Sequence, residues 1–284
     1  MPSFLITFRE TLEAALVVGI VLGYLDRTGQ RRYRPVVYWG VALGLAASAV
    51  GALIFEWLAG GFTGAAEQVF EGVTMLVGAA LLTTMILWMM GQRQVAAELQ
   101  ERVATEVAAA RRFGLLLLVF VAILREGIET VIFLGAASFA AGGASLVGAL
   151  AGVAAAIVLG YAAFRGAMRV NVRTFFNVTS VILILFAAGL VAHGIHELQE
   201  AGVVPIVVEH VWDINPPVRP DGSYPLLHEN GYVGSFLKAL FGYNGDPSLM
   251  ELSSWLAYLV AVAVVWRARS SVHSRGEAEV PASH

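Results

Sequence analysis

Two segments of the chain carry an arginine and two glutamates at the same spacing. Each reads Arg-Glu-x-x-Glu, and they occupy residues 9–13 and 125–129. On a helix, where successive residues turn by about 100°, the three charged side chains share one face, and the arginine and second glutamate are one turn apart. Carboxylate oxygens are hard ligands that favour Fe³⁺, Mg²⁺, Ca²⁺ or Mn²⁺ over soft ions such as Cu⁺. This pattern predicts a cation site made of carboxylates.

The composition of the chain predicts where this site lies. Of 284 residues, 58% are hydrophobic and 14% are charged, and the mean hydropathy is +0.73. A soluble domain has about 25% charged residues. Because one globular core of this size cannot hide so much apolar surface, we expect the chain to lie in a bilayer. No cysteine is present, which excludes a disulfide scaffold, thiolate metal ligands and cysteine nucleophiles.

Seven apolar runs are long enough to cross a hydrocarbon core of about 30 Å, which takes about 20 helical residues. We therefore predict an all-α integral membrane protein with seven transmembrane helices in one transmembrane domain. The runs cover residues 4–25, 36–58, 70–90, 113–137, 144–164, 175–198 and 249–266.

The charges of the connecting segments predict the orientation of these helices. Arginines cluster after the first, third, fifth and seventh runs, whereas residues 60–67 and 138–143 contain no Lys or Arg. The positive-inside rule then places the N-terminus outside and the C-terminus inside. The outer loop, residues 201–248, contains only Arg219 and Lys238 as basic residues, and its proline-rich middle is typical of an ordered loop or cap.

Helices one to three and four to six resemble copies of each other. The two charged motifs occupy matching positions, and Gly40 and Gly44 of the second helix match Gly148 and Gly152 of the fifth. Because one copy has three helices, the second copy enters the membrane from the opposite face. Many transporters use such an inverted 3+3 repeat to place a substrate site at the repeat interface. The predicted domain organisation is a single transmembrane domain, 1–267, with repeat one at 1–112, repeat two at 113–200, the outer loop at 201–248 and a seventh helix at 249–267, followed by a disordered cytoplasmic tail at 268–284.

The charges of the two motifs do not balance within the membrane. Both motifs reach comparable depths at 1.5 Å per residue, and each charged residue there costs at least about 2.5 kcal/mol. Four glutamates and two arginines leave two negative charges in excess, which a bound cation or proton must balance. A packing device in which each arginine only neutralises a glutamate is the alternative. The predicted metal ligands are Glu10, Glu13, Glu126 and Glu129, supported by Arg9 and Arg125.

A second group of acids and imidazoles falls at the outer ends of the third and sixth helices. Two of the acids are one helical turn apart, and the two histidines are three residues apart. Such a set can capture an ion and pass it inward, and imidazole broadens the preference toward Fe²⁺ or Zn²⁺. Solvated helix ends are the alternative. This outer capture site consists of Glu67, Glu71, His193, His196, Glu197 and Glu200.

At these residues the sequence resembles the high-affinity iron permease family, the oxidase-dependent iron transporters, and most closely its bacterial EfeU-type members. The paired motif is similar to the Arg-Glu-Gly-Leu-Glu hallmark on the first and fourth of seven helices. Thr11 replaces the glycine in the first copy, and Ile128 replaces the leucine in the second. The resemblance implies iron uptake into the cytoplasm, with the motif glutamates as iron ligands. Supporting similarities are Glu71-Gly72, His196-Glu197, Trp212-Asp213, Gly242-Tyr243 and Pro247-Ser248.

The resemblance also implies a setting and partners. Bacterial members commonly operate in the cytoplasmic (inner) membrane with a periplasmic iron-binding protein and a haem peroxidase. Iron is the substrate, and no tightly bound cofactor is expected.

We therefore predict a permease that imports Fe²⁺ or Fe³⁺. One alternative is a carrier of another divalent metal, such as Mn²⁺ or Pb²⁺. A second alternative, an intramembrane carboxylate-metal enzyme, is disfavoured. Di-iron bundle enzymes need Glu-x-x-His pairs, and no glutamate in the seven runs is followed by a histidine three positions later.

Overall fold

The computed structural model describes residues 2–91, 95–143, 145–164 and 172–278. Three of the arginines used to orient the chain, Arg93, Arg165 and Arg169, lie outside the described residues. The first residue of the predicted fifth run and the last six residues of the predicted tail also lie outside them. The helices are α1 (Pro2–Arg27), α2 (Arg34–Ala59), α3 (Ala65–Gly91), α4 (Val95–Ala108), α5 (Arg112–Ala141), α6 (Leu146–Phe164), α7 (Val172–Glu200), α8 (Tyr232–Phe241) and α9 (Leu249–Ala278).

The described part of the chain is all-helical and contains no strand, as the sequence predicts for an integral membrane protein. Within the described residues, a helix covers each of the seven apolar runs, apart from Ser145 at the start of the fifth. Four of these helices are long and apolar enough to cross a membrane, and α6 contains a shorter apolar stretch. Helices α1 and α5 each carry three charged motif residues near the middle. The four apolar segments are Arg31–Ala59, Ala65–Trp88, Val178–Glu200 and Leu249–Ala268.

Two segments differ from the sequence-based expectation. The segment 91–112, expected to be a charged loop, contains α4, because Val103 and Val107 recur at helical spacing and bury one face against α1 and α5. Helix α9 continues to Ala278. Residues 268–278, expected to belong to a disordered tail, are therefore helical, since the chain continues from α9 with no proline or helix-ending turn.

The long helices pack in pairs that are consistent with a repeat. Helix α1 packs mainly against α6, α2 packs mainly against α5, and α3 packs against α7. If α1, α2 and α3 are exchanged for α5, α6 and α7, the first two pairs convert into each other and the third pair is unchanged. The two motif-bearing helices, α1 and α5, also contact each other.

The matched glycines lie in these helix interfaces. A Cβ atom on Gly44 of α2 would lie 2.8 Å from the Cβ of Ile123 on α5, and one on Gly152 of α6 would meet the side chain of Thr7 on α1. Ile123 and Thr7 each precede the arginine of their motif by two residues. Small residues allow such close approach of helices in a membrane. The glycine pattern therefore sets the position of each charged motif against its neighbouring helix.

Residues 201–248, predicted to form the outer loop, fold back onto the helices, and α8 packs against α5 and α7. The two flanks of this loop pair through backbone hydrogen bonds, with Val211 N donating to Pro247 O at 3.0 Å and Ile214 N donating to Gly245 O at 2.9 Å. Helix α8 lies between these flanks and is capped by Gly242, whose left-handed backbone (φ +69°) packs against the backbone of Gly189 on α7. The prediction of an ordered loop or cap agrees with this arrangement.

Candidate metal centre

The α1 half of the site is built around a fully buried arginine. Arg9 is 0% exposed, and its NH1 and NH2 atoms lie 3.0 Å from Glu10 Oε1 and 2.9 Å from Glu13 Oε1. NH1 also donates to the sulfur of Met85 on α3 at 2.9 Å. Burial of a guanidinium group is tolerated only with such partners. Arg9 therefore contacts two acids of α1 and the thioether of a methionine on α3.

The α5 half repeats the pairing but not the burial. Arg125 NH2 lies 2.7 Å from Glu126 Oε1, and Arg125 Nε lies 3.3 Å from Glu129 Oε1. The side chain of Arg125 is 53% exposed, whereas that of Glu126 is 5% exposed. The two arginines therefore occupy matching sequence positions in unequal surroundings.

Three of the four predicted ligands converge. Glu10, Glu13 and Glu126 each offer one carboxylate oxygen, and these three atoms lie within 4.8 Å of one another. Glu129 does not belong to this group and pairs with Arg125 instead. Oxygen atoms of two different helices at this separation can ligate a single hard cation.

Several carboxylate oxygens of the cluster have free coordination capacity. Glu10 Oε2, Glu126 Oε2 and Glu129 Oε2 are buried and accept no hydrogen bond from the residues that the structure describes. An unpaired buried oxygen of this kind costs free energy, because it has lost its water and gained no donor. A cation bound between the three converging carboxylates would use this capacity.

The packing behind the motif explains why the two copies differ. A Cβ atom on Gly127 of α5 would clash with Ser48 Oγ on α2, so the second copy has no space for a side chain here. In the first copy Thr11 takes the corresponding position. The residue of α6 that corresponds to Ser48 is Ala156, which packs with Phe8 and Leu12 of α1. Where α1 has the larger residue, Thr11, the neighbouring helix α6 has the smaller one, Ala156. Where α5 has the smaller residue, Gly127, the neighbouring helix α2 has the larger one, Ser48.

The residues of the predicted outer capture site lie at the N-terminal end of α3 and the C-terminal end of α7, and these two helices pack against each other. Gly72 of α3 packs against the backbone of Gly194 on α7. Gln68 Nε2 donates to Glu200 Oε2 at 2.8 Å, and His196 Nε2 lies 3.2 Å from Glu200 Oε1. The acids and histidines do not form a group with metal-ligand spacing, within the described residues.

Two of the predicted capture residues have structural partners. His196 Nδ1 lies 3.0 Å from Glu251 Oε1 on α9. His193 Nδ1 lies 3.0 Å from the carbonyl oxygen of Gly189, and its Nε2 is buried with no partner among the described residues. His196 therefore joins α7 to α9, while His193 Nε2 is buried in the protein interior.

Sequence reasoning missed Glu251 and the contact between Met85 and Arg9. Glu251 accepts hydrogen bonds from Asn244 Nδ2 at 2.7 Å and from Ser248 N at 3.2 Å, and its own N donates to Ser248 Oγ. Ser248 and Glu251 form a capping box, whose Ser-x-x-Glu spacing is visible in the sequence. No sequence signal identifies Met85, because its contact depends on how α3 packs against α1.

Comparisons with known proteins identify the family of the chain. The model of the iron permease FTR1 family matches residues 1–275 of the chain. The chain belongs to the iron permease FTR1 family. The extent of this match, together with the apolar helices, identifies the chain as a multi-pass membrane transport protein. No solved structure matches the chain.

Curated relatives in this family cover almost the whole chain. An uncharacterized protein of Archaeoglobus fulgidus is 35% identical over 98% of both chains. The ferrous iron permease EfeU of Escherichia coli O157:H7 is 33% identical over 93% of this chain and 94% of its own length. The EfeU of Yersinia pestis is 32% identical over 93% and 92%, respectively. Membership in this family supports iron transport and indicates a transporter rather than an enzyme.

Proposed function

We propose that the chain imports iron across the cytoplasmic membrane through the carboxylate site of its two motifs. The observation that carries the proposal is the convergence of Glu10, Glu13 and Glu126, from two helices, within 4.8 Å. Unpaired buried oxygens on Glu10 and Glu126 add to it, because they leave ligand atoms available for an ion.

The proposed topology has seven membrane spans, with the N-terminus outside and the C-terminus inside. The paired packing of α1 with α6 and of α2 with α5 supports an inverted repeat, since the exchange of the two repeats preserves it. Inverted repeats place the substrate at their interface, and the contact between α1 and α5 is the place where the carboxylates meet. Movement of one repeat against the other would expose the site alternately to each side.

The outer capture site lies upstream of the carboxylate site in this proposal. Glu67, Glu71, Glu197 and Glu200 attract the ion electrostatically at the outer ends of α3 and α7. Attraction of this kind raises the local concentration of a cation and speeds its association. The ion then exchanges its water for the carboxylates of α1 and α5.

The names of the relatives support ferrous iron, because several are ferrous iron permeases. A periplasmic iron-binding protein and a haem peroxidase are the proposed partners. Any change in the oxidation state of iron would take place on such a partner, and the folded outer loop is the proposed docking region for it.

Iron uptake by cells or liposomes that contain the full chain tests the proposal. Glu13→Gln and Glu126→Gln should each abolish uptake while protein remains in the membrane, because each removes an anionic ligand with little change in shape. Glu209→Gln, an exposed glutamate of the outer loop, serves as the matched control and should transport normally. Normal uptake by both site variants would contradict the proposal.

Competition experiments address the alternative metals and the enzyme. An excess of Mn²⁺ or Pb²⁺ should leave iron uptake largely unchanged if iron is the preferred substrate. Equal competition by Mn²⁺ would instead indicate a general divalent carrier. Turnover of a substrate in detergent, without a gradient, would indicate an enzyme.

A further inference from the structure

The two motif arginines differ in how firmly they are held. Arg9 is fully buried and contacts Glu10, Glu13 and Met85. Within the described residues, the ion pairs of Arg125 are with acids of its own motif, and about half of its side chain is exposed. Withdrawal of Arg125 would therefore break only ion pairs within its own helix, whereas withdrawal of Arg9 would also break its contact with α3.

The position of Arg125 changes both the ligands and the charge of the site. In the structure Arg125 forms ion pairs with Glu126 Oε1 and Glu129 Oε1, so these two oxygens are not free to bind an ion. If Arg125 withdraws, Glu129 becomes free to join Glu10, Glu13 and Glu126. With four ionised carboxylates, the cluster carries a formal charge of −2 when both arginines are present and −3 when Arg125 is absent.

These two charges correspond to two classes of ion. A charge of −2 is balanced by a divalent cation, and a charge of −3 is balanced by a trivalent cation. An unbalanced charge in the membrane interior is costly, so the arrangement whose charge matches the ion is the more stable one. Since ligands must be deprotonated to bind metal, the formal charges of the carboxylates apply to the loaded site.

From these relationships we infer that Arg125 is a displaceable cation that sets the charge of the ion bound by the carboxylate site. With Arg125 in place, the site selects a divalent ion through three carboxylates. With Arg125 withdrawn, it accepts a trivalent ion through four. This inference rests on the proposed function, because it assigns the ion class of the same site.

Cysteine chemistry allows a direct test, because the chain contains no native cysteine. Arg125→Cys in the purified full chain is reacted with a cationic methanethiosulfonate, or with a neutral one of similar size. Binding of Mn²⁺ and of Ga³⁺, which do not change oxidation state under these conditions, is then measured by calorimetry. The neutral adduct should raise the ratio of Ga³⁺ to Mn²⁺ affinity at least about tenfold relative to the cationic adduct, because one nearby unit charge has been removed.

Substitutions provide independent readouts. Arg125→Gln should shift the ratio in the same direction as the neutral adduct, and Arg125→Lys should keep the ratio of the native chain. Arg112→Gln, which removes an exposed arginine at the start of the same helix, should leave the ratio unchanged. An equal ratio for the two adducts, including loss of binding in both, overturns the inference.

The failure of this inference is distinguishable from failure of the proposed function. If the native chain binds and transports iron but the ratio does not respond to Arg125, only the role of Arg125 is wrong. If Glu13→Gln and Glu126→Gln transport iron normally, the carboxylate site itself is wrong, and the inference about Arg125 is overturned with it.

Discussion

The NH1 atom of Arg9 lies 2.9 Å from the sulfur of Met85, so a buried guanidinium group of α1 is supported by a thioether of α3. Met85 also packs against the apolar core to which α1, α3, α5, α7 and α9 contribute. It therefore connects the charged cluster to that core.

Replacement of Met85 by alanine should destabilise the protein by about 2 kcal/mol or more, because it leaves a cavity beside a buried charge. Met85→Leu keeps the volume and should cost less than about 1.5 kcal/mol. Thermal unfolding in detergent measures both effects. Equal stability of Met85→Ala and the native chain would show that Arg9 does not depend on this contact.

The glycines at the two main helix interfaces should be sensitive to any added side chain. A Cβ atom on Gly152 would meet the backbone oxygen of Phe4, and one on Gly44 would lie 2.8 Å from the Cβ of Ile123. Neither contact lies at the flexible end of a side chain. Gly152→Ala and Gly44→Ala should each destabilise the chain by about 1 to 3 kcal/mol and lower iron uptake.

Gly60 offers a matched control for these glycines. A Cβ atom there would lie 3.4 Å from its nearest neighbour, and its backbone is right-handed. Gly60→Ala should therefore have little effect on unfolding temperature or on uptake. If all three variants behave alike, close approach of the helices does not explain the glycine pattern.

Glu251 should hold the outer loop against α7. Its carboxylate contacts His196, Asn244 and Ser248, so Glu251→Ala removes one acceptor from three groups at once. Loss of a buried acceptor costs about 1 to 3 kcal/mol. We expect faster amide hydrogen exchange in residues 242–250 and faster proteolysis of the loop. Glu209→Ala, in the exposed part of the same loop, should exchange as the native chain does.

The outer acids should affect the apparent affinity for iron more than the maximal rate. Glu200 is half-exposed, and neither it nor Glu197 belongs to the converging carboxylate group. A Glu197→Gln, Glu200→Gln double variant should raise the KM of iron uptake several-fold with little change in maximal rate, since it removes two negative charges that attract the cation. The difference from the native chain should shrink at high ionic strength, because salt screens exposed charges. Complete loss of uptake would instead assign these acids to the transport site.

The sequence was sufficient for those features that depend on local pattern. Apolar runs predicted the positions of the long helices, because a helix must satisfy its backbone hydrogen bonds where lipid replaces water. The repeated motif identified Glu10, Glu13 and Glu126, because acids in an apolar run are costly and rare. Helix α4 was missed because its apolar face is short and its charged residues resemble a loop.

The sequence by itself thus determined the type of protein, the seven long helices and the acids that form the cluster. Each of these features depends on the hydrophobicity, charge and spacing of residues within one segment of the chain. Only the tertiary structure decided that Glu129 stays apart from the other three acids, that Arg9 is buried against Met85 while Arg125 is exposed, and that Glu251 joins α7 to α9. The two motifs have the same spacing, but different neighbouring helices surround them. Burial and distance depend on those neighbours, which no repeat of residues along the chain specifies.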